Sequence, residues 1–267
     1  MRGLFIEICV LILLSRFCFS VLPRLQNRGP SIFISQILEI KNRGNFPKMK
    51  FDIVTIFPNI FDGFINESLL ARAQTKGIIK IGIHNLRKWT SDRHQTVDDK
   101  PYGGGVGMVL KVEPIYKAVQ AISKSFRLKA SVSRPKASKA RVILFSPRGK
   151  KFDQKMAQRL AKYDQLILIC GRYEGVDERV VKYVADEVIS IGDYVLTGGE
   201  VAAMTIIETV SRMIPGFISK QESAHKSDHA QYTRPETYKI GNKNLPVPKV
   251  LLSGDHKKIA DWRKKHS

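Results

Sequence analysis

Two glycine-rich segments contain the residues best suited to holding a small ligand. Residues 170–179 (CGRYEGVDER) follow an apolar run at 166–169, and residues 191–200 (IGDYVLTGGE) follow another at 188–191. Glycine lets the backbone approach a ligand and offer its N–H and C=O groups. Ligands of α/β proteins usually bind in loops that leave the carboxyl ends of neighbouring strands. The two segments therefore predict a nucleotide-binding cleft.

A polar cluster precedes a third glycine-rich run. It combines carboxylates with two basic residues and a tyrosine: Asp92, Arg93, His94, Asp98, Asp99 and Tyr102. Because the basic residues stand directly beside the carboxylates, we predict no metal site. The following run at 103–107 (GGGVG) lacks the Lys-Ser/Thr ending of a P-loop, which argues against a nucleoside triphosphatase.

The charge of the chain predicts a polyanionic partner. Lys and Arg number 45 against 24 Asp and Glu, a formal net charge of +21 in 267 residues. Such an excess is typical of nucleic-acid binding, although a solvated basic surface would show the same composition. The basic residues expected to contact phosphates are Lys129, Arg134, Lys136, Lys139, Arg141, Lys257, Lys258, Arg263, Lys264 and Lys265.

The cysteines and the first residues bear on where the protein acts. Cys9, Cys18 and Cys170 show neither metal-ligand spacing nor a disulfide pattern, which fits a reducing cytosol, so we expect a cytoplasmic protein. Cys170 is predicted to be a buried residue at a strand end, and a nucleophilic role beside Arg172 is the alternative. The apolar run at 8–14 is too short for a membrane span, which needs ~20 residues. We expect residues 1–48 to be a disordered leader or a start-site artefact before Met49, and no membrane association.

The elements that must position these loops alternate along the chain from Lys50 onward. Strands are predicted at 52–57, 78–84, 141–145, 166–169 and 187–191, and helices at 59–76, 113–125, 153–163, 178–185 and 199–213. Residues 126–140 lack apolar periodicity and are predicted to form an exposed basic loop. Alternation of this kind indicates a mostly parallel sheet covered by helices.

A break in the pattern divides the chain into domains. Pro215 and Gly216 end the alternation, so residues 49–216 are predicted to form the main domain. Residues 217–232 are polar and turn-rich, which is typical of an interdomain linker. The remaining residues, 233–267, are too few to bury a core alone and must pack against the main domain or a partner.

Seven collinear motifs give the chain a specific resemblance to a known family. They span residue 92 to residue 256: 92–108 (DRHQTVDDKPYGGGVGM), 146–149 (SPRG), 171–175 (GRYEG), 191–200 (IGDYVLTGGE), 210–216 (VSRMIPG), 232–236 (YTRPE) and 250–256 (VLLSGDH). In this order they resemble the bacterial tRNA (guanine-N1)-methyltransferases of the TrmD type, which belong to the SPOUT methyltransferase superfamily.

The resemblance implies a fold and an assembly. It implies a SPOUT-type α/β domain, in which a parallel sheet carries helices on both faces and the cofactor site lies in a deep trefoil knot. General rules of chain connection argue against knots, so the knot rests on the resemblance alone. It also implies a small, mainly helical C-terminal domain that binds tRNA, and a homodimer whose active sites draw on both subunits.

The cofactor implied by the resemblance is S-adenosylmethionine. The physical character of the matching residues agrees, because apolar side chains and bare backbone suit an adenine ring, and Glu174 suits a ribose hydroxyl or a cationic group. If the glycines only shaped tight turns, the same sequences would result. The implied pocket consists of Pro147, Gly149, Gly171, Tyr173, Glu174, Gly175, Ile191, Gly192, Tyr194, Leu196, Gly198 and Gly199.

The substrate implied by the resemblance is the tRNA guanosine immediately 3′ of the anticodon, methylated at N1, a modification that supports reading-frame maintenance. Arg212 matches the catalytic arginine of the family, which would stabilise negative charge at O6. An ungapped count places Ser227 at the position of the catalytic aspartate, and we assign that role to Asp228. The linker residues Glu222, His225 and His229 are fallbacks. The resemblance gives substrate handling to Asp92, Arg93, His94, Asp98 and Tyr102.

The chain departs from the family pattern at three places, and two other functions stay open beside the one implied by the resemblance. Val106 and Ala202 replace prolines that are usual in the family, and the chain stops soon after Trp262. None of these changes removes a group that performs chemistry. One alternative is a SPOUT enzyme that methylates ribose in tRNA or rRNA. The other is a catalytically silent RNA-binding descendant, which the displaced aspartate alone supports.

Overall fold

The computed structural model describes residues 48–133, 139–219 and 229–266, with no account of the side chains at 126–133. The predicted leader, apart from Lys48, lies outside these residues. None of the helices in the described ranges is long and apolar enough to span a bilayer.

A five-stranded, wholly parallel sheet forms the centre of the main domain. The strands of this domain are β1 (Met49–Thr55), β2 (Ile79–Asn85), β3 (Asp98–Asp99), β4 (Val109–Leu110), β5 (Ala140–Lys151), β6 (Gln165–Ile169) and β7 (Glu187–Ser190). The strand order in the central sheet is β2-β1-β6-β5-β7. The two short strands β3 and β4 form a separate antiparallel pair.

Helices pack on both faces of this sheet, because side chains of a strand point alternately to its two sides. In β6, Leu166 and Leu168 join one buried cluster, whereas Ile167 and Ile169 join another. The helices of this domain are α1 (Asp62–Asn66), α2 (Ser68–Thr75), α3 (Val112–Ser133), α4 (Gln154–Leu160), α5 (Glu178–Tyr183) and α6 (Glu200–Arg212). Helices α2, α4 and α6 contribute to the first cluster, and α3 and α5 to the second. The mixed α/β class with a parallel central sheet is confirmed.

Two predicted elements were wrong in extent. The loop predicted at 126–140 is helical as far as Ser133, because its first eight residues include good helix formers and the first proline comes only at 135. The single helix predicted at 59–76 is a 3₁₀ turn (Pro58–Phe61) followed by α1 and α2. Glu67 is extended between the two helices, and Ser68 has a φ of +54°.

Strand β5 differs from its predicted form in a way that shapes the ligand site. It continues past Phe145 to Lys151, and both Phe145 and Lys150 pair with Ile189 of β7. The four residues between them, 146–149, therefore form an irregular bulge at the edge of the pairing. Bulges of this kind commonly re-aim side chains next to functional sites.

A buried carboxylate joins three strands of the sheet. Asp52 of β1 is fully buried and accepts hydrogen bonds from His84 Nε2 at 2.7 Å, Lys50 Nζ at 2.8 Å and Gln165 Nε2 at 2.7 Å. Burial alone would raise the pKa of the Asp52 carboxyl, but these partners hold that pKa below its ordinary value of 3.8. The ionised carboxylate therefore stabilises the fold.

We expect Asp52→Asn to lower the free energy of unfolding at pH 7 by about 2 kcal/mol, because Lys50 and His84 lose their charged partner. A depressed folded-state pKa contributes stability above about pH 4 that is lost as the pH falls through the folded value. The difference between wild type and variant in urea unfolding should therefore shrink below about pH 4. Asp193→Asn, which changes an exposed aspartate, is the control. A pH-independent difference would contradict this account.

The described C-terminal residues form a hairpin and two helices. Strands β8 (Thr237–Ile240) and β9 (Lys243–Pro246) pair antiparallel, and helices α7 (Lys249–Leu252) and α8 (His256–Lys265) follow. The hairpin was not part of the sequence prediction. No residue between 229 and 266 is fully buried. This segment thus has no closed core of its own, as its length predicts.

Candidate active site

A cavity of about 410 Å³ opens beside the bulge of β5 and the carboxyl ends of β6 and β7. Three loops line it: the bulge after Phe145, the loop that follows β6, and the loop between β7 and α6. All residues of the predicted cofactor pocket except Gly149 lie in its wall: Pro147, Gly171, Tyr173, Glu174, Gly175, Ile191, Gly192, Tyr194, Leu196, Gly198 and Gly199. Its volume is within the range usual for small-molecule sites.

The wall of the cavity is partly apolar and partly backbone. Leu144, Ile189 and Leu196 supply apolar surface, and Glu174 brings a carboxylate. The glycines leave peptide groups accessible between them. An arrangement of this kind can hold a flat aromatic ring against apolar side chains while backbone groups and a carboxylate bind the polar parts of a ligand.

Gly149 lies behind this wall. A Cβ added to it would be 2.6 Å from the carbonyl carbon of Ile189, and Ile189 lines the cavity. Gly199 is similarly constrained, because its Cβ would be 2.8 Å from Cys170 Cα. Its backbone N–H donates to the carbonyl of Gly171 at 2.9 Å. These glycines allow neighbouring loops to pack backbone against backbone.

Several residues of the cavity escaped the sequence prediction. Arg172 and Thr197 line it, and Glu200 is buried beside Arg172. Both charged residues belong to the predicted motifs. Their pairing depends on tertiary contacts, which no local pattern in the sequence indicates.

Cys170 is not suited to act as a nucleophile. The residue is buried, and burial raises the pKa of its thiol well above the ordinary value. A reactive cysteine requires a stabilised and accessible thiolate. Cys170 is therefore a packing residue at the end of β6, as its apolar surroundings in the sequence predict.

The polar cluster at 92–102 is an exposed loop with internal order. Asp92 accepts hydrogen bonds from the backbone N–H and the hydroxyl of Thr96, and these bonds lower the pKa of Asp92. Arg93 and His94 are exposed, and the side chain of Tyr102 is fully exposed. Asp98 lies in β3, opposite Leu110 of β4.

Strand β4 connects this loop to the cavity. Leu110 N–H donates to the carbonyl of Gly175 at 3.0 Å, and Glu174 N–H donates to the carbonyl of Met108 at 3.0 Å. Gly107 has a φ of +86°, and a Cβ there would be 2.5 Å from Glu174 Cγ. The predicted substrate loop and the cavity loop therefore meet directly at Gly107 and Glu174.

Of the two predicted catalytic residues, Arg212 is among the described residues and Asp228 is not. Arg212 is the last residue of α6 and is half-buried, and it is not among the residues that line the cavity. It follows the cavity residue Ala202 by ten positions, which corresponds to about 15 Å along the helix. Asp228 lies outside the described residues, as do Ser227, Glu222 and His225. His229 lines a separate groove of about 700 Å³ in the C-terminal segment.

Comparison with known proteins identifies the family. The family model described as "tRNA (Guanine-1)-methyltransferase TrmD" matches residues 49–267. Proteins named tRNA (guanine-N(1)-)-methyltransferase from Carboxydothermus hydrogenoformans and Geotalea uraniireducens are 50% and 49% identical over 226 residues. These matches cover 82% of this chain and 83% and 85% of the two relatives. The protein of the same name from Anoxybacillus flavithermus is 46% identical over 226 residues, 82% of this chain and 86% of its own.

The match extends over the whole main domain and the C-terminal segment, and includes all the loops that line the cavity. The chain therefore belongs to the TrmD family of tRNA (guanine-1)-methyltransferases.

Proposed function

We propose that this protein transfers a methyl group from S-adenosylmethionine to N1 of the guanosine immediately 3′ of the anticodon in tRNA. The observation that carries the proposal is the cavity between three loops, in a chain of the TrmD family. The predicted substrate loop meets the cavity wall at Gly107 and Glu174. We also propose, from the family to which the chain belongs, that the three cavity loops are part of a deep trefoil knot.

The residues present fit S-adenosylmethionine. Close backbone packing at Gly149 and Gly199 holds together the loops that form the cavity, because a Cβ at either position would clash with neighbouring backbone. In this proposal the apolar wall formed by Ile191 and Leu196 holds the adenine ring. The Glu174 carboxylate accepts from a ribose hydroxyl or pairs with a cationic group. When bound, the cofactor supplies an electrophilic methyl group on a sulfonium.

We expect Gly149→Ala to weaken binding of S-adenosylhomocysteine by about tenfold or more, because overpacking against Ile189 displaces the cavity wall. Isothermal titration calorimetry measures this change. Gly63→Ala is the matched control, since a Cβ at Gly63 meets nothing within 4 Å. The control should bind normally. Normal binding by Gly149→Ala would show that the bulge does not shape the cofactor site.

The chemistry at guanine requires a base and a stabilising cation. N1 carries a proton at neutral pH, so it becomes nucleophilic only as that proton leaves. We assign proton removal to the Asp228 carboxylate, which would contribute about 10²–10⁴-fold. Negative charge develops at O6 as N1 loses its proton, and the planar guanidinium of Arg212 would donate hydrogen bonds there.

The position of Arg212 supports shared active sites. Because it stands about 15 Å along α6 from Ala202, it is poorly placed to reach a guanine at the cavity of its own subunit. A homodimer that brings α6 of one subunit to the cavity of the other would resolve this separation. We therefore propose that Arg212 and Asp228 act at active sites formed by two subunits.

The C-terminal segment has the charge expected of an RNA-binding surface. Residues 229–266 contain nine Lys and Arg against three Asp and Glu, an excess of six positive charges. We propose that Lys257, Lys258, Arg263, Lys264 and Lys265 contact tRNA phosphates from α8. Lys139 of the main domain would add a further contact. Arg141 would contribute less, because it already pairs with Glu187. Phosphate contacts of this kind give affinity but not base choice.

A base substitution in the tRNA tests the assigned substrate. Methyl transfer from labelled S-adenosylmethionine should occur to a tRNA with guanosine 3′ of the anticodon. It should vanish when that guanosine alone is replaced by adenosine, while affinity for the tRNA stays within about threefold because phosphates dominate binding. Equal labelling of both tRNAs would place the methyl group elsewhere and favour the ribose-methylating alternative.

A further inference from the structure

An ion pair between Arg172 and the buried Glu200 lies at the cavity wall. Arg172 Nε donates to Glu200 Oε2 at 2.9 Å, and the Thr55 hydroxyl donates to Glu200 Oε1 at 2.7 Å. Glu200 is 1% exposed, and the Arg172 side chain is 19% exposed and lines the cavity. The Arg172 guanidinium also lies 4.8 Å over the ring of Phe57. Both oxygens of the buried carboxylate thus have partners.

The pair connects three segments that are distant in the sequence. Thr55 ends β1, Arg172 belongs to the loop after β6, and Glu200 begins α6. Glu200 lies in the first turn of α6, a position that favours a carboxylate. Its contacts therefore fix the start of α6 against the loop that carries Tyr173 and Glu174.

The neighbouring glycine shows that the cavity wall is built around this pair. A Cβ added to Gly198 would lie 2.3 Å from Arg172 Nε and 2.5 Å from Glu200 Oε2. Gly198 itself lines the cavity. The guanidinium also reaches the carbonyl of Thr197 at 3.4 Å through Nη1. Any movement of Arg172 or Glu200 must therefore change the wall at residues 197–199.

We propose that Arg172 and Glu200 are positioning residues for the cofactor, which hold the loops after β6 and β7 in the arrangement that binds S-adenosylmethionine. A buried ion pair is a weak source of stability compared with apolar packing of the same volume. Its geometric demands, however, fix the relative placement of the loops that carry it. The proposal rests on the proposed function, because it assumes that the cavity binds this cofactor.

Glu187, which pairs with two arginines, provides a control of similar chemistry. Glu187 accepts from Arg141 Nε at 2.7 Å and from Arg159 Nη1 at 2.7 Å, and its side chain is 16% exposed. It lies at the start of β7 and is not itself among the residues that line the cavity. Glu187→Gln therefore removes a partly buried charge pair without touching the cavity.

The test measures S-adenosylhomocysteine binding by calorimetry and methyl transfer at saturating tRNA. Glu200→Gln should raise the Kd and the KM for the cofactor by about tenfold or more, while kcat at saturating cofactor stays within about threefold of wild type. Glu187→Gln should lower Tm with the Kd within about twofold of wild type. A Kd for Glu200→Gln that matches that of Glu187→Gln would overturn the proposal.

Two further variants keep the test decisive if Glu200→Gln does not fold. Thr55→Val removes one hydrogen bond from Glu200 and should raise the Kd about threefold. Arg172→Gln should raise it about as much as Glu200→Gln does, and the double variant should bind no more weakly than either single variant. Additive losses, or an unchanged Kd in Thr55→Val and Arg172→Gln, would overturn the pair as a unit. Failure of the wild-type protein to bind S-adenosylhomocysteine would overturn the proposed function as well.

Discussion

Replacing Arg212 by alanine should lower kcat for methyl transfer by about 10²–10³-fold, the usual loss when a donor aimed at developing charge is removed. The guanidinium is proposed to bind O6 of guanine as N1 loses its proton. Because Arg212 is not among the residues that line the cavity, the affinity for S-adenosylhomocysteine should stay within about twofold of wild type. Single-turnover methylation with saturating tRNA measures the rate constant of methyl transfer itself, without the contribution of product release, and this constant should fall by the same factor.

Two variants separate this role from a structural one. Arg212→Lys keeps the charge but not the planar fork of donors, so it should recover only part of the lost rate. Arg72→Ala removes an arginine from the last turn of α2, far from both proposed sites in the sequence, and should retain wild-type kcat. An Arg212→Ala protein that keeps more than about a tenth of the wild-type rate would contradict the assignment.

Asp228→Asn should lower kcat by about 10²–10⁴-fold, because the amide cannot accept the N1 proton. Binding of tRNA should change little, since a single linker carboxylate contributes no phosphate contact. The matched control is Ser227→Ala, which alters the residue that an ungapped alignment would place at the position of the base. It should retain the wild-type rate.

The opposite pattern would be equally informative. A large loss in Ser227→Ala with normal activity in Asp228→Asn would show that residue 227 occupies the position of the base in the family. Asp228 would then not be the base, and another group would accept the N1 proton. Glu222→Gln, His225→Ala and His229→Ala then become the variants to measure. If Ser227→Ala is active as well, normal activity in all five variants would exclude each of these linker residues as the base.

The sheet was predictable because its strands are continuous apolar runs. Residues 166–169 and 142–145 are buried within a parallel sheet that is covered on both faces, and such strands lack polar alternation. The glycine-rich loops that follow them were predictable for the same reason, since a ligand site forms at the carboxyl ends of parallel strands. The order of the strands in the sheet, in which β5 lies between β6 and β7, depends on which distant strands pair with each other. Local sequence pattern could not predict that order.

The contacts that tune the site escaped prediction because they depend on tertiary structure. Arg172 and Glu200 are 28 positions apart, and Thr55 is 145 positions from Glu200. Asp52 was predicted only as part of a strand, and its burial with Lys50, His84 and Gln165 emerges from strand pairing. The extent of α3 was missed for a different reason: residues 126–133 lack apolar periodicity, although they include good helix formers.

Locating the transferred methyl group is the most direct test of the central claim. Wild-type protein would be incubated with S-adenosylmethionine and a tRNA that has guanosine 3′ of the anticodon. The tRNA would then be digested and analysed by mass spectrometry of nucleosides and of position-specific fragments. We expect N1-methylguanosine at that position and at no other. A 2′-O-methylated ribose, or tRNA binding without any methylated product, would contradict the account.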